Sequence, residues 1–341
     1  MWSGSTATNP RNSLWRIAEF YSPPVAVLLA VFNEAASIDE CLASLAAQDY
    51  AGPWEVLVAD GGSTDGTVDR IGEWSEKLRI RIFENPERLQ SKGLNLLAEV
   101  ATAEILVRAD AHTTYAPDYL TSSVAALLSS GASAVGGPMR PTGSRPFGRA
   151  VARAYRSKVG IGPAPFHHSE ENVEADTVYL GTMARETFLD QGGLRTMPSG
   201  VAEDADFYYR LRKNGGRVLV VPGIRSSYRP RESPRALGGQ FYRYGLGKAD
   251  MLYINGEFPS WRPLAPMALV VGLIAFLVVG LVTGWWLPLI ALVAVWLLVV
   301  AIAAGGSPLG VAAMAIMHTA YGIGLIRGLL RLPGSVRAAV G

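Results

Sequence analysis

The stretch VLVADGGSTDGT, residues 56–67, decides the fold of this chain. It begins as an apolar run and breaks at Asp60 into three glycines, three hydroxyl-bearing residues and a second carboxylate, Asp65. A short continuous apolar run is typical of a strand that is covered on both faces, as in a parallel sheet. Ligands of open α/β sheets bind beyond the carboxyl ends of such strands. The stretch therefore predicts a ligand-binding loop at the edge of a parallel sheet.

The sequence around this loop alternates between strand patterns and helix patterns. Strands are predicted at VAVLLAV (25–31), WEVLVA (54–59), RIRIF (79–83) and EILVRAD (104–110). Apolar residues at helical spacing predict helices after Ser37 and after Asp65, and a third helix is predicted around residues 91–101. Ser37 and Glu40 also have the spacing of a capping box. The alternation predicts an α/β fold, with a mostly parallel sheet and helices on both faces.

Three polar clusters follow the first, second and fourth predicted strands. They are Asn33-Glu34, the segment 60–65, and Asp110-Ala111-His112. All three fall where such sheets bind their ligands, so we expect them to form one site. Asp60 is placed to accept hydrogen bonds from a base or a ribose. Taken alone, the loop is also explained as an ordinary turn rich in turn-forming residues.

Several common sites are excluded by the residues present. The loop has the glycine spacing of a P-loop between Gly61 and Gly66, but Thr67 stands where that motif requires Lys. The dinucleotide-binding pattern GxGxxG does not occur. Cys41 is the only cysteine, which excludes a disulfide framework and a cysteine-based zinc site and fits a reducing, cytosolic environment. Residues 1–20 lack the apolar segment of a signal peptide.

The C-terminal part contains a long uncharged run. Residues 263–326 include no Asp, Glu, Lys or Arg, and about 20 apolar residues suffice to cross a bilayer. Breaks at TGWWLP and AGGSPLG divide the run into three predicted spans, near 264–283, 286–304 and 309–328. A helical hairpin buried in the protein is the alternative interpretation.

The number of spans decides on which side of the membrane the chain ends. Three spans from a cytosolic head place Arg327, Arg331 and Arg337 outside, against the tendency of positive residues to stay inside. A second topology therefore stays open, with two spans and a third helix lying in the interface. By the length of the run we predict three.

A basic segment precedes the uncharged run. Residues 210–262 carry eleven Lys and Arg against three acids. Such a segment also suits nucleic acid, but the adjacent apolar run favours an anionic leaflet, where each basic residue contributes roughly 1 kcal/mol. We predict membrane lipids and no nucleic acid as partners, and a multi-pass protein of the inner membrane with a cytoplasmic head. The predicted organisation is an arm (1–24), a catalytic domain (25–232), a basic neck (233–262), a membrane region (263–330) and a tail (331–341).

Six motifs together give the chain a specific resemblance. They are AVFNEAASIDECLASLAAQ (30–48), VLVADGGSTDGT (56–67), ILVRADAH (105–112), GTMARETFLDQGG (181–193), EDADFYYRLRKNGG (203–216) and QFYRYG (240–245). In this order they resemble the family 2 glycosyltransferases, which are inverting enzymes with a GT-A fold. The RADAH variant and the C-terminal spans look most like the succinoglycan-biosynthesis branch of that family.

The resemblance implies roles for particular residues on the donor side. It implies that the nucleotide sugar is bound by Asn33, Glu34, Asp60, Ser63, Asp65, Arg88, Lys92 and Asp110. Within this set Arg88 and Lys92 are candidates to reach the ribose or the diphosphate, and a solvated helix face is the alternative interpretation of these two. It places a divalent metal at Asp110 and His112, where the family's DxD motif has a second acid. Imidazole suits Mn²⁺ better than Mg²⁺, which prefers oxygen ligands. We therefore predict a metal cofactor, with Mn²⁺ favoured.

On the acceptor side the resemblance implies that Asp204 is the catalytic base. Glu203 stands beside it, and compensation of a helix dipole is the alternative role of this acidic pair. Gln240, Arg243 and Tyr244 match the family's QxxRW motif, with Tyr in place of Trp, and are assigned to the acceptor or to a diphosphate.

The predicted function follows from this resemblance and from the apolar run. We expect a membrane-anchored inverting glycosyltransferase that moves one sugar from a nucleotide sugar, UDP-linked by expectation, to a lipid-linked saccharide. Transfer to polyprenyl phosphate is a close alternative. A nucleotidyltransferase and a catalytically inactive membrane adaptor are two others. The first lacks its Gly-rich basic loop, and the retained acids at 60, 110 and 204 disfavour the second.

Overall fold

A computed structural model describes residues 22–257 and 261–331 of the chain. Most of the predicted arm and the predicted tail lie outside these residues. The described strands are β1 (Val25–Val31), β2 (Trp54–Asp60), β3 (Ile80–Glu84), β4 (Ile105–Ala109), β5 (Thr113–Tyr115), β6 (Ala134–Gly137), β7 (Val173–Glu174), β8 (Tyr179–Ala184), β9 (Val218–Val220) and β10 (Ser226–Tyr228).

The helices alternate with these strands in the first two thirds of the chain and then follow one another. The first nine are α1 (Ile38–Ala46), α2 (Thr67–Glu73), α3 (Gln90–Val100), α4 (Tyr119–Ser130), α5 (Pro146–Tyr155), α6 (Lys158–Ile161), α7 (Pro165–His168), α8 (Arg185–Asp190) and α9 (Glu203–Lys213). The last four are α10 (Pro234–Asn255), α11 (Leu264–Thr283), α12 (Leu287–Ala303) and α13 (Pro308–Leu329).

An eight-stranded sheet in the order β3-β2-β1-β4-β8-β6-β9-β7 forms the centre of the fold. The first four strands in this order are parallel, and β8 joins β4 in antiparallel orientation. A separate antiparallel pair, β5 and β10, lies beside the sheet. The predicted α/β fold with a mostly parallel sheet is confirmed, and the four predicted strands occur within one residue of their expected bounds.

The sheet is covered by an apolar core on each face. Along β1, the side chains of Val27 and Leu29 belong to one core and those of Ala26 and Leu28 to the other. This alternation is the two-residue period of a strand, and both sets are apolar because both faces are buried. Because β1, β2 and β4 are parallel, their carboxyl ends lie at one edge of the sheet, outside the two cores.

The predicted capping box at Ser37 and Glu40 is wrong. Ser37 precedes α1, but its side chain does not cap the helix. Its hydroxyl donates instead to Oε2 of Glu34 at 2.7 Å. Glu40 forms an ion pair with Arg229, 189 residues away, at 2.6 Å. Ser37 is therefore used by a local bond to Glu34, and Glu40 by a tertiary contact that local spacing does not reveal.

The uncharged run forms three helices close to the predicted ranges. Of the described helices, α11 and α13 are long and apolar enough to cross a membrane, and α12 is shorter, at 17 residues. Large apolar side chains on α11 and α12 face outward, including Val282 at 78% and Ile302 at 72% exposure. In α13, by contrast, Met314, Met317 and Leu325 are fully buried.

Helix α13 packs lengthwise against α10, the helix of the predicted neck. A Cβ on Gly245 would lie 2.2 Å from the backbone oxygen of Tyr321, and one on Gly324 would lie 2.1 Å from the backbone oxygen of Tyr242. The two backbones therefore touch at positions where only glycine fits. At the C-terminal end, the Tyr253 hydroxyl donates to the backbone oxygen of Leu329 at 2.6 Å.

This close contact predicts that Gly245→Ala destabilises the protein. The added methyl overlaps a backbone oxygen, and overpacking of this kind typically costs about 1–3 kcal/mol. Gly239 lies on the same helix, and a Cβ added there would meet no atom within 4 Å, so Gly239→Ala is the matched control. It gains about 0.5–1 kcal/mol from helix propensity. Thermal unfolding of both variants in detergent measures the difference, and equal melting temperatures would contradict this packing.

Candidate active site

The loop after β2 is folded around the carboxylate of Asp60. Oδ2 of Asp60 accepts from the backbone N–H of Gly62 at 3.0 Å and of Ser63 at 3.1 Å. The Ser63 hydroxyl donates to Oδ1 at 2.6 Å. Gly62 has a φ of 79°, which glycine adopts without steric cost. Asp60 therefore shapes the loop, and Ser63 is one of its partners.

The loops after β1 and β2 are joined by side-chain hydrogen bonds. The backbone N–H of Asn33 donates to Oγ of Ser63, and the Asn33 side chain accepts from the N–H of Thr64, each at 2.9 Å. Oδ2 of Asp65 accepts from the N–H of Ala35 at 3.0 Å. Asn33, a residue with a Cβ, is held at a φ of 55°. The structure thus brings together four predicted nucleotide-binding residues at 33, 60, 63 and 65.

The two predicted cations on the donor side differ in position. The Arg88 guanidinium lies 5.4 Å from the ring centre of Phe32, and a Cβ on Gly62 would lie 3.5 Å from it. Arg88 therefore borders the loop after β2. Lys92, one turn into α3, is half exposed and pairs with Glu87 at 3.6 Å.

Asp110 and His112 follow β4, at the same edge of the sheet. Asp110 is 8% exposed, and its Oδ1 lies 3.5 Å from Nε2 of Gln90. Nδ1 of His112 lies 3.8 Å from Oε1 of Glu34, and its ring makes an edge contact with Tyr228 at 5.6 Å between centroids. The loops after β1 and β4 therefore meet at the pair of Glu34 and His112.

These side chains fit a divalent metal that substrate helps to hold. No cluster of three or more acidic, histidine or cysteine side chains suited to a metal occurs within residues 22–257 and 261–331. Asp110 and His112 supply one carboxylate and one imidazole, a donor set that suits Mn²⁺. Metals at phosphate-binding sites are commonly held by one or two protein ligands together with substrate phosphates.

Arg108 links the two carboxylates to which the resemblance assigns chemistry. One terminal nitrogen of its guanidinium lies 3.7 Å from Oδ1 of Asp110, and the other lies 3.7 Å from Oδ2 of Asp204. Its Nε is buried with no hydrogen-bond partner among the described residues. Burial acts against the charged form, but the charges of Asp110 and Asp204 raise the pKa of Arg108 above its ordinary value. The arginine therefore stays charged between them.

The two acids at the start of α9, Glu203 and Asp204, differ in their exposure to solvent. Glu203 is 7% exposed, and burial together with the charge of Asp204 raises its pKa to about 7, while Arg108 opposes the shift. The Asp204 side chain is 42% exposed, and its Oδ1 accepts from the N–H of Ala205 at 2.7 Å. Ala202, just before the pair, is held at a φ of 73°. Such strain costs about 1–3 kcal/mol and often marks functional sites.

The predicted acceptor residues lie on α10. Gln240 is buried, and its Nε2 donates to the hydroxyls of Tyr228 and Tyr244, each at 3.1 Å. The Tyr155 hydroxyl donates to Oε1 of Gln240 at 3.3 Å. Arg243 is exposed and lines an open cavity of about 590 Å³. Because Tyr228 also contacts the His112 ring, Gln240 connects this cavity to the end of β4.

Three residues near the site were not identified from the sequence. Arg108 and Gln90 contact Asp110, and the Nη2 of Arg108 donates to Oε1 of Gln90 at 3.2 Å. Lys248, on α10, is the third: burial lowers its pKa, while the charges of Asp204 and Asp176 oppose the shift. A charged residue inside the apolar strand ILVRA was the signal for Arg108. Nothing local in the sequence marks the other two.

Comparisons with known proteins agree on one family. The family model described as Glycosyl transferase family 2 matches residues 26–183, and the model Glycosyl transferase family group 2 matches residues 106–307. The succinoglycan biosynthesis protein ExoA of Rhizobium meliloti (strain 1021) is 32% identical over 324 residues, which are 92% of this chain and 97% of that protein.

Two more distant proteins are also similar. Dolichyl N-acetyl-alpha-D-glucosaminyl phosphate 3-beta-D-2,3-diacetamido-2,3-dideoxy-beta-D-glucuronosyltransferase of Methanococcus voltae is 26% identical over 75% of this chain and 82% of its own. The structure of mannosyltransferase PcManGT from Pyrobaculum calidifontis, in complex with GDP-Man and Mn²⁺, superposes with a TM-score of 0.66 at 22% identity over 94% of each chain. The predicted GT-A fold is thereby confirmed. With a group model over more than half of its length and a 32% identical relative over nine tenths of it, this chain belongs to glycosyltransferase family 2 and is a glycosyltransferase.

Proposed function

We propose that this enzyme transfers one sugar from a nucleotide sugar to a lipid-linked saccharide, with inversion, in the synthesis of a cell-surface or secreted polysaccharide. One observation carries the proposal: the guanidinium of Arg108 lies between Asp110, on the donor side, and Asp204, on the acceptor side. Inverting transfer is a single displacement, so the group that supports the leaving diphosphate and the group that activates the acceptor must lie close together. The names of the Rhizobium and Methanococcus relatives support polysaccharide synthesis and a lipid-linked acceptor.

The donor is bound, in this proposal, by the joined loops after β1 and β2. Asp60 faces the base or ribose, and Asn33, Glu34, Ser63 and Asp65 give the loops a fixed shape before ligand arrives. A preformed site avoids part of the entropy that ordering a loop on binding would cost. The complex of the Pyrobaculum neighbour with GDP-Man supports a nucleotide sugar as the donor class. We retain a UDP sugar as the specific proposal.

The diphosphate lies beyond the loops, near Arg88 and Asp110. Cations close to a diphosphate offset its charge. Arg88 borders the loop after β2 and is placed to do so. Lys92 is a second cation one turn further on. Asp110 and His112 would hold the divalent metal, which when bound offsets the charge that develops on the leaving diphosphate.

Asp204 is the proposed catalytic base. The acceptor hydroxyl must lose its proton as it attacks the anomeric carbon, and a positioned carboxylate can take it. Asp204 is more exposed than Glu203, whose raised pKa reflects burial. Arg108 holds the Asp204 carboxylate in place and keeps it oriented beside Asp110. Glu203 would then support the start of α9 rather than contact the acceptor.

The outward-facing apolar side chains of α11 and α12 support membrane attachment next to the catalytic domain. The end of α13 lies against α10 of the neck, where Arg331 approaches Oδ1 of Asp250 at 3.6 Å. An odd number of crossings would separate these two residues by a bilayer. We therefore replace the three-span prediction with a proposal of two spans, α11 and α12, and of α13 lying beside the domain on the cytoplasmic side.

The first test compares the two neighbouring acids. Loss of a general base typically lowers the rate by about 10²- to 10⁴-fold, so Asp204→Asn should lose turnover by that factor with little change in nucleotide-sugar affinity. The measurement is release of the free nucleotide by purified enzyme supplied with a lipid extract. Glu203→Gln is the matched control and should retain turnover. If Asp204→Asn keeps more than about a tenth of wild-type turnover while Glu203→Gln is inactive, the base has been assigned to the wrong acid.

The second test concerns the metal. Excess EDTA should abolish transfer, and Mn²⁺ should restore it better than Mg²⁺, because His112 contributes an imidazole. His112→Asp replaces that imidazole with an oxygen ligand and should shift the preference toward Mg²⁺ rather than stop turnover. Rates measured over a series of both metals check this, and full activity in excess EDTA would refute the metal site.

The third test concerns topology. With two spans, a thiol-reactive label should reach a cysteine tag after residue 341 only once the inner membrane is permeabilised. Labelling of the same tag in cells with an intact inner membrane would instead support three spans. A tag in a periplasmic protein serves as the positive control for reagent access.

A further inference from the structure

An open cavity of about 590 Å³ lies beside the N-terminal half of α10 and is not explained by the donor site. Its wall includes Arg231, Arg235 and Arg243, here called the cavity arginines, together with Ser233, Gly239 and the buried Gln240. The side chains of the cavity arginines are exposed to solvent. Three positive charges around one concave surface are suited to an anion of high charge.

The cavity arginines have no acidic partner in the described part of the chain. Other arginines close in sequence do: Arg225 pairs with Asp118 at 3.0 Å, and Arg229 pairs with Glu40 at 2.6 Å. The ion pairs of the described residues include none formed by a cavity arginine. Their charge is therefore offset by solvent alone until a ligand arrives.

The one acid within this segment, Glu232, is directed elsewhere. Its Oε1 accepts from the backbone N–H of Ser144 at 2.6 Å and from that of Arg145 at 3.2 Å. Burial acts to raise the pKa of Glu232, but these hydrogen bonds lower it below its ordinary value. Glu232 therefore stays ionised at the start of α5. The segment thus turns its carboxylate away and leaves its arginines facing the cavity.

Helix α10 places the cavity beside the apolar helices. Gly239, Gln240 and Arg243 recur at helical spacing on the cavity face. The other face of α10 packs on α13: a Cβ on Gly238 would lie 3.5 Å from Ile316, and Gly245 touches the α13 backbone. The face of α10 opposite the cavity is therefore covered by α13, and an anion in the cavity would lie one helix away from the uncharged run that supports membrane attachment.

The floor of the cavity leads toward the catalytic residues. Gln240 bonds to Tyr228, and the ring of Tyr228 contacts that of His112. Lys248, further along the same helix, lies close enough for the charge of Asp204 to act on its pKa. The cavity is thus connected through Gln240 and Tyr228 to the end of β4, and Arg108 lies between Asp110 at that end and Asp204. Sugar attached to an anion in the cavity would have to extend past this end of the strand to reach Asp204.

We propose that the cavity arginines bind the phosphate or diphosphate of a polyprenyl-linked acceptor. Guanidinium groups bind phosphate oxygens through paired, charge-assisted hydrogen bonds, and the weakly hydrated arginine head suits this site better than lysine would. This inference rests on the proposed function, because it assigns the position of that enzyme's acceptor. It adds Arg231, Arg235 and Gly239 to the residues that determine acceptor binding.

The test measures binding of a fluorescent short-chain polyprenyl phosphate to the full chain in detergent, by anisotropy. Arg231→Gln and Arg235→Gln should each weaken binding by about tenfold, the scale of one lost charge-assisted contact. Arg153→Gln is the matched control, since Arg153 is also exposed and does not line the cavity. It should bind like the wild type.

A second pair of variants changes the volume of the cavity and leaves the net charge of the protein unchanged. Gly239→Phe should occupy part of the cavity and weaken binding. A Cβ at this position meets no atom within 4 Å, so we expect the variant to fold. Gly72→Phe, at an equally open helical position in α2, is its control. Equal binding by Gly239→Phe and Gly72→Phe would overturn the site.

Two competitors distinguish the source of the anion. Displacement of the probe by polyprenyl diphosphate at far lower concentration than by inorganic phosphate supports a lipid-linked acceptor. Equal displacement by inorganic phosphate would overturn that part of the proposal. Binding of UDP sugar is measured in parallel: if the cavity variants bind the probe weakly but the wild type binds no nucleotide sugar, the proposed function fails while the anion site stands.

Discussion

The arrangement of the site depends on one partly buried cation. Arg108 leaves the end of β4 and lies between Asp110 and Asp204, two acids almost a hundred residues apart in sequence. Without its charge, two carboxylates and the partly ionised Glu203 would face one another in a poorly solvated space, where like charges repel strongly. This guanidinium therefore stabilises the approach of the start of α9 to the end of β4. Its Nη2 also donates to Gln90, while its Nε has no hydrogen-bond partner among the described residues.

Strained backbone conformations occur in three segments that border the candidate site. Asn33, Arg88 and Ala202 all have a positive φ although none is glycine, and they lie in the loop after β1, before α3 and at the start of α9. The hydrogen bonds between neighbouring loops hold Asn33 in this conformation. Folding energy is thus spent at each of three positions around the cleft, so the site has its shape before substrate binds.

The sheet could be predicted because its strands are continuous apolar runs between polar loops, a pattern that local sequence fully contains. The capping box failed because Ser37 bonds to Glu34, three residues before it, and because Glu40 pairs with Arg229, which only the tertiary fold brings near. Membrane spans were harder for a different reason: apolar composition suits lipid and protein core equally. The apolar composition of the run did not reveal that α13 buries Met314 and Met317 against the rest of the protein. The family resemblance placed Asp110 and Asp204, but not the arginine between them.

The glycine contact between α10 and α13 has a practical consequence for work on this enzyme. One way to seek a soluble catalytic domain from such a chain is to cut it before the first apolar helix. Here such a cut after residue 262 removes α13 and uncovers the face of α10 formed by Gly245 and Ala249, together with the part of α5 that α13 covers. The remaining fragment would present a long apolar groove to water, a surface that promotes aggregation. A useful soluble form would instead keep α13 and replace only the outward-facing side chains of α11 and α12.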